Sequence, residues 1–318
     1  MKKIVILMGG ISNEREISLI SGAAVEAALK ASGYEVFVLD PKDFPSLAEL
    51  LMKIKELGAD LVFNALHGGA GEDGRIQAAL ELEDIPYTGS DSKASALAMD
   101  KYVSKLIALA EGIPCAKHIL FRGNLIEDYK DTQDFAEFSQ KLGMPIIVKP
   151  NVSGSSVGIS IVHDLSELGS AVELALAHCP EILLEEYIAG SEITVSILGG
   201  KSLPVVEIRP KSGWYDYLNK YSSGNTEYLA PAPLEESVSK MAQVYAERIF
   251  RALGCSVYAR VDFRVRDGKC YFLEVNTLPG MTKLSLTPMA AAAAGMSFPE
   301  LLKTIINISI EDSLKEEL

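Results

Sequence analysis

Oxygen-bearing side chains crowd one short part of the sequence, Arg260-Val261-Asp262-Phe263 followed by Phe272-Leu273-Glu274-Val275-Asn276. A hard cation such as Mg²⁺ needs oxygen ligands that converge from one side. Glu274 and Asn276 stand two apart and so share one face of a strand. Asp267-Gly268, between the two runs, is a strong hairpin signal. Whether Asp262 joins the other two depends on the turn. A strict two-residue loop pairs 262 with 273 and puts Asp262 and Glu274 on opposite faces. A three-residue loop, Arg266-Asp267-Gly268 with Gly268 left-handed, pairs 262 with 272 and gathers all three ligands on one face. We expect that three-residue turn and a metal site. A bulge elsewhere in the hairpin serves equally, and an ordinary hairpin with an acidic exposed face fits the same residues.

Cations are placed to complement such a site. Lys149 ends an apolar strand just before Asn151-Val152-Ser153-Gly154-Ser155-Ser156-Val157-Gly158, and Lys101 lies on the helix entering the same region. Glycines let backbone N–H groups approach an anion and lysines add point charges, so this loop can fold over phosphates. It does not read G-x-x-x-x-G-K-[ST], which excludes a P-loop; a flexible connector is its plainer reading. Leu184-Glu185-Glu186-Tyr187-Ile188 ends a strand where two units meet, a place suited to adenine recognition or, equally, a solvated edge. The stretch from Arg209 to Thr226 carries Trp214, Tyr215, Tyr217, Tyr221, Lys211 and Lys220 with two glycines. It is long for a plain connection, and a basic, aromatic lid there would keep water from a reactive intermediate. Packing of those aromatics against the body is the competing account.

The elements that must position these residues alternate in type. Lys3–Met8, Glu35–Leu39 and Asp60–Ala65 are short apolar runs rich in β-formers, and Glu14–Ala31 and Ser46–Leu57 between them have helical spacing. Asn13, with Glu16 three residues on, predicts the cap of the first helix, and Gly33 follows its end. Such alternation implies a parallel sheet with helices on both faces and ligands beyond the carboxyl ends of its strands. The two loops leaving those ends start at Gly9 and His67, and neither reads G-x-G-x-x-G, which argues against a dinucleotide-binding dehydrogenase. A helix from Asp91 to Ala110 leads to a second unit with strands at Lys117–Phe121 and Pro145–Lys149 and helices near Thr132–Leu142 and Leu165–Ala177. Strands dominate from Ile182, interrupted by a helix at Glu235–Leu253. Three α/β units are expected.

With 318 residues, a net charge of −13 and 23% charged residues, the chain has the make-up of a globular protein of two or three domains. The acidic balance argues against a nucleic-acid surface. No apolar run approaches the roughly 18 residues that span a bilayer. The N-terminal Lys2-Lys3 and apolar stretch stop at Gly9-Gly10, so a buried first strand is expected rather than a signal peptide. Cys115, Cys179, Cys255 and Cys270 form no C-x-x-C pair, as in a cytosolic protein with reduced, buried thiols.

Taken together, the segments resemble the ATP-grasp superfamily and, within it, the D-alanine–D-alanine ligase family. The resemblance runs nearly end to end. It is carried by Gly9-Gly10…Ser12-Asn13-Glu14-Arg15-Glu16, Leu66-His67-Gly68…Gly71-Glu72-Asp73-Gly74, Tyr87-Thr88-Gly89-Ser90 and Met99-Asp100-Lys101. It continues through Val148-Lys149-Pro150…Gly154-Ser155-Ser156-Val157-Gly158, Tyr215-Asp216-Tyr217…Lys220-Tyr221 and Glu274-Val275-Asn276-Thr277-Leu278-Pro279-Gly280-Met281-Thr282.

The resemblance implies a fold of three α/β domains. These are an N-terminal parallel-sheet domain (1–92), then central (93–184) and C-terminal (185–318) ATP-grasp domains with largely antiparallel sheets. It implies the joining of two D-alanine molecules through an acyl phosphate at the expense of ATP. Lys101, Lys149 and Lys220 would hold phosphates under a loop containing Ser153, Gly154, Ser156 and Val157. Glu185, the backbone of Glu186 and Ile188, and Glu192 would contact adenine and ribose. Asp262, Glu274 and Asn276 would bind two Mg²⁺ ions, with Mn²⁺ as a substitute. Glu14 would face the first substrate's ammonium, with His67 also on the substrate side. Arg260 and the Gly280 N–H would form an oxyanion hole, and Ser285 with the Leu286 backbone would take the second substrate's carboxylate. Glu14, Ser155 and Tyr221 would form a hydrogen-bonded trio. Relatives that make D-alanyl-D-lactate lack the tyrosine, so its presence at 221 implies an amine acceptor. A cytoplasmic homodimer, free of membrane and nucleic acid, completes the implied picture.

Overall fold

The described residues form three sheets. The computed structural model describes residues 2–123, 132–154, 156–211, 213, 224–282 and 284–316. In the first sheet β1 (Lys3–Leu7) lies between β2 (Glu35–Leu39) and β3 (Leu61–Asn64), all parallel. Apart from Lys3, Glu35 and Asn64 at their ends its strands are apolar, as suits a sheet with helices on both faces. Ile4 and Ile6 enter a core shared with the C-terminal helices, while Val5 and Leu7 enter a second core with Leu50 and Ile54 of α2 (Leu47–Leu57). Helix α1 (Arg15–Ala31) follows β1. Its N-cap is Glu14, which makes no side-chain capping bond, so the cap expected from Asn13 and Glu16 is not formed. Instead the loop is held from outside. Asp40 accepts from the Gly10 N–H and pairs with Arg15, whose Nη1 donates to the Gly10 carbonyl. That leaves the Glu14 side chain for the cleft.

After α3 (Arg75–Leu82), the single helix expected from Asp91 to Ala110 is two, α4 (Ser92–Met99) and α5 (Lys101–Ala110). Asp100 between them is extended (φ −78°, ψ 100°) and caps α5 by accepting from the Val103 N–H. A capping aspartate competes with helical continuation through its own backbone bonds. The break has a consequence for the site: it puts Lys101 at a helix N-terminus rather than mid-helix.

The second sheet, in the order β4-β7-β5-β6, is antiparallel: β4 (His118–Arg122), β5 (Ile146–Pro150), β6 (Ser160–Val162) and β7 (Glu181–Glu186). Helices α6 (Thr132–Leu142) and α7 (Leu168–Leu176) accompany it. The third sheet runs β11-β10-β8-β12-β13, with β9 (Lys201–Ser202) paired to β8. Its strands are β8 (Ser191–Leu198), β10 (Val206–Pro210), β11 (Thr226–Leu229), β12 (Tyr258–Arg266) and β13 (Lys269–Asn276). Helix α8 (Glu236–Ala252) packs its apolar stripe on this sheet, and α9 (Leu286–Ala293) and α10 (Phe298–Glu316) close the chain.

Gly190, between β7 and β8, illustrates how tightly the second and third sheets are joined. Its φ is +122°, and a Cβ there would stand 1.9 Å from the Val265 carbonyl oxygen on β12. A backbone obstacle cannot swing aside. Gly190→Ala is expected to lower stability by ~2 kcal/mol or more, measured by chemical denaturation; an unchanged midpoint would contradict this packing.

Candidate functional site

The hairpin that aligns the acids is built differently from the turn expected. Arg266 pairs directly with Lys269, and Asp267 and Gly268 both have left-handed φ (52° and 73°), a two-residue primed turn. That register alone would put Asp262 and Glu274 on opposite faces. A bulge between Asp262 and Phe263 corrects it: Phe263 pairs with Phe272, Asp262 with Glu274, Val261 with Val275 and Arg260 with Asn276, leaving Leu273 as the extra residue. One inserted residue restores the face. The three-residue turn is therefore wrong, and the bulge does the same service.

Asp262 is 7% exposed, and both of its oxygens are held. Arg260 grips it with two parallel bonds, Nε to Oδ1 at 2.9 Å and Nη2 to Oδ2 at 2.8 Å, and the Thr194 hydroxyl donates to Oδ1 at 2.6 Å. A bidentate arginine fixes direction as well as charge. Glu274 faces Lys101, with Nζ to Oε2 at 3.1 Å. The Asn276 carbonyl Oδ1 accepts from the Leu278 N–H at 2.9 Å, which orients the amide.

This donor set fits Mg²⁺: two carboxylates and an amide oxygen, all hard ligands on one face. Among the described residues no group of three or more His, Cys, Asp or Glu side chains could hold a metal. Two carboxylates suffice where substrate phosphates supply the remaining oxygens, as Mg²⁺ sites commonly use.

The loop expected to cover phosphates is tied to the same place. The Lys101 ammonium, 6% exposed, donates to the Ser153 carbonyl at 2.6 Å. Asn151 locks the loop's start to the break before α5, accepting from the Tyr102 N–H and donating to Asp100. Ser156 and Gly158 have left-handed φ, turning the chain back on itself. Gly154 lies against Glu14, so that a Cβ there would sit 2.8 Å from Glu14 Oε2, and one on Gly68 would sit 2.7 Å from the same oxygen. The carboxylate is thus wedged between two glycines from different parts of the chain. The resemblance implies that Glu14 faces the first substrate's ammonium, so Gly154→Ala is expected to raise that substrate's KM by about ten-fold, the equivalent of displacing one contact worth ~1.4 kcal/mol; steady-state kinetics reads this, and an unchanged KM would detach Glu14 from that substrate.

Lys149, on β5, is buried and pairs with Glu185 Oε2 at 2.8 Å. The other oxygen of Glu185 has the Lys105 ammonium 3.2 Å away, outside hydrogen-bond direction. Burial works to raise the Glu185 carboxyl, but Lys105 and Lys149 outweigh it and hold it at about 2. Glu185 is therefore an anion clasped by two lysines and lining the smaller cavity with its neighbours. Glu186 pairs with Arg266, the Ile188 carbonyl accepts from Arg264 Nε, and Glu192 pairs with Arg264 Nη1.

Two adjoining cavities result. The larger, about 490 Å³, is bounded by Glu14, His67, Lys101, Ser153, Gly154, Arg260, Glu274, Asn276, Gly280, Ser285 and Leu286. The smaller, about 130 Å³, is walled by Ala116, Ile147, Ile161 and Leu273 and edged by Lys149, Ser156, Glu185, Glu186, Ile188, Glu192 and Asp262. Lys101 and Glu274 line both. Apolar walls with polar edges suit a flat heteroaromatic ring. Ser285 is the N-cap of α9, its hydroxyl accepting from the Thr282 N–H. With the Leu286 N–H behind it, this helix start is chemically suited to a carboxylate. Val157 lies in the turn of the covering loop. Ser155, Lys220 and Tyr221 lie outside the described residues, as does most of the expected lid.

At His67, expected on the substrate side, the structure adds a partner that the sequence did not single out, Ser21. His67 is buried, its Nδ1 3.2 Å from Glu72 Oε1 and its Nε2 3.1 Å from Ser21 Oγ, and the Ser21 hydroxyl accepts from the Met281 N–H. This chain of contacts links the first sheet's loop to the Gly280 segment. Thr194, Arg264 and Lys105 were also passed over. Only Lys105 carried a local signal, a lysine in the buried stripe 101, 104, 105, 108 of α5. The four cysteines are free thiols; burial pushes Cys115 and Cys270 up to about 11 and Cys255 up to about 12, so these three are protonated at neutral pH and take no part.

Comparison with known proteins agrees with this geometry. The family described as D-ala D-ala ligase C-terminus matches residues 107–307, and D-ala D-ala ligase N-terminus matches residues 40–90. The chain is 46% identical over 310 residues to a D-alanine--D-alanine ligase of Syntrophotalea carbinolica, covering 96% of this chain and 95% of that one. It resembles the crystal structure of D-alanine--D-alanine ligase from Bacillus anthracis (39% identity, TM-score 0.87, 99% of this chain and 100% of that). It also resembles that protein's complex with ATP (35% identity, TM-score 0.85, 99% and 100%). Both halves of one family matched, over a cleft that joins the first sheet to the third, leave a single assignment: the chain belongs to the D-alanine–D-alanine ligase family.

Proposed function

We propose that the double cavity joins two D-alanine molecules into D-alanyl-D-alanine, a peptidoglycan precursor, with ATP converted to ADP and phosphate. One observation carries this reading. The Lys101–Glu274 and Arg260–Asp262 pairs stand between a cavity fit for a purine and a cavity edged by Glu14 and Ser285. A γ-phosphate and two small zwitterions would meet there.

ATP lies with its base in the smaller cavity and its phosphates beside Lys149 and Lys101, beneath the loop holding Ser153, Gly154, Ser156 and Val157; Lys220 joins them from the lid. Glu14 attracts the ammonium of the first D-alanine, with His67 behind it, so that the carboxylate is directed at the γ-phosphate. Its attack gives an acyl phosphate and ADP. The second D-alanine is held by its carboxylate at Ser285 and the Leu286 N–H; its ammonium gives up a proton to solvent, the resulting amine attacks the acyl carbon, and the surplus proton on the new amide nitrogen leaves with the phosphate. Arg260 and the Gly280 N–H donate to the oxygen that becomes negative, a stabilisation effective because the donors are already in place. Phosphate then leaves. Mg²⁺ at Asp262, Glu274 and Asn276, when bound, neutralises charge on the phosphates during transfer. Tyr221, with Glu14 and Ser155, selects an amine over a hydroxyl acceptor. The same reading makes the enzyme a cytoplasmic homodimer assembled from units 1–92, 93–184 and 185–318.

Incubation with ATP, Mg²⁺ and D-alanine alone tests the proposal. Equimolar ADP and a product with the mass of two alanines less one water are expected. ADP release that requires a different acid or amine would overturn the substrate assignment.

A further inference from the structure

Behind the two cavities lies a cation that neither cavity reaches. Lys105 is fully buried. It stands four residues beyond Lys101 on α5, hence on the same face. Its ammonium donates to the Phe272 carbonyl at 3.1 Å, lies 3.2 Å from Glu185 Oε1, and sits 5.7 Å from the Phe272 ring centre. Neither cavity has Lys105 in its lining. The partners belong to different sheets: Glu185 is on β7, and Phe272 is on β13 two residues before Glu274. The same strand is joined to the chain just after α5 by the Phe272 N–H, which donates to the Pro114 carbonyl at 2.8 Å. Burying an ammonium is costly, and a buried ion pair contributes little net stability compared with apolar packing. Packing alone therefore gives a poor account of a lysine in the apolar stripe of this helix.

We propose that Lys105 is a positioning residue for the nucleotide. By drawing on one oxygen of Glu185 it turns the other toward Lys149, and by its bond to the Phe272 carbonyl it sets the spacing between Lys149 and the strand bearing Glu274. Lys149 without that clasp would have a carboxylate free to rotate beside it and would lose its aim into the smaller cavity. Burial works to lower the Lys105 pKa and Glu185 works to raise it, so an arriving polyphosphate, a second anion beside the two lysines, favours the charged form. This inference rests on the ATP reading of that cavity.

The test compares wild type, Lys105→Met, Glu185→Gln and the double variant. It measures binding of ADP with and without Mg²⁺ by calorimetry, KM for ATP and for D-alanine, and thermal unfolding. Lys105→Met is expected to weaken ADP binding and raise the ATP KM by about ten-fold, with the D-alanine KM unchanged. The double variant is expected to be no worse than the weaker-binding single variant, because both act through one link. Should Lys105→Met fail to fold, the comparison of Glu185→Gln with the double variant decides: equal ADP binding supports the link, and a further loss refutes it. Unchanged ADP binding in Lys105→Met, or equal losses for both substrates, would overturn the proposal. Wild type that fails to bind ADP would sink the nucleotide reading, and this inference with it.

Discussion

Glu274→Ala is expected to abolish turnover, by about a thousand-fold or more, while the protein still unfolds cooperatively. The size follows from the role. A cation that neutralises charge in phosphoryl transfer supplies several kcal/mol, and ~4 kcal/mol corresponds to about a thousand-fold in rate. The fold survives because the Glu274 side chain is 31% exposed on the cleft side, so its removal opens no sealed void. Lys101 loses an ion pair but keeps its bond to the Ser153 carbonyl. Glu274→Gln separates charge from shape: it retains the length and a hydrogen-bonding group, yet it should be nearly as inactive. Steady-state kinetics across a Mg²⁺ titration, beside a thermal melt, gives the answer. Turnover that persists at ordinary Mg²⁺ concentrations would remove the metal assignment.

Arg260→Met should lower kcat by about a hundred- to a thousand-fold, the range found when one preorganised oxyanion donor is deleted. Here the arginine has two duties that kinetics can separate. It faces the larger cavity, and it holds both oxygens of Asp262 in a planar fork. Lysine keeps the charge but cannot make the paired bonds. Arg260→Lys is therefore expected to recover only part of the rate and to require more Mg²⁺, because a single ammonium fixes the direction of Asp262 less firmly than the fork does beside the Thr194 hydroxyl. If Arg260→Met keeps kcat within about three-fold of wild type, the oxyanion role falls. Full recovery in Arg260→Lys would show that the fork geometry is irrelevant.

The two residues mark how far the linear order can be read. Glu274 and Asn276 share a face by strand periodicity, and that needed no structure. Asp262 was different. Its side of the sheet hung on a single inserted residue, and the turn chemistry of Asp267-Gly268 pointed to a two-residue loop that would have turned it away. The bulge at Leu273 leaves no mark in composition, since Leu273 is as good a strand residue as its neighbours. Likewise the helix break at Asp100 hid inside a run with unbroken helical propensity. It is stabilised by Asn151, fifty-one residues away, whose amide bonds a capping carboxylate that local pattern alone could not distinguish from a solvated one.

Sequence by itself determined the order and type of most elements and which side chains could carry charge to a phosphate: hydrophobic periodicity is local, and Lys101, Lys149, Asp262, Glu274 and Glu14 announce their chemistry by type. Tertiary structure decided which of them meet. Lys101 faces Glu274, Gly154 admits Glu14, and Lys105 clasps Glu185 only because three sheets close on one another, and contacts between residues far apart in the chain depend on packing that no short window of sequence contains.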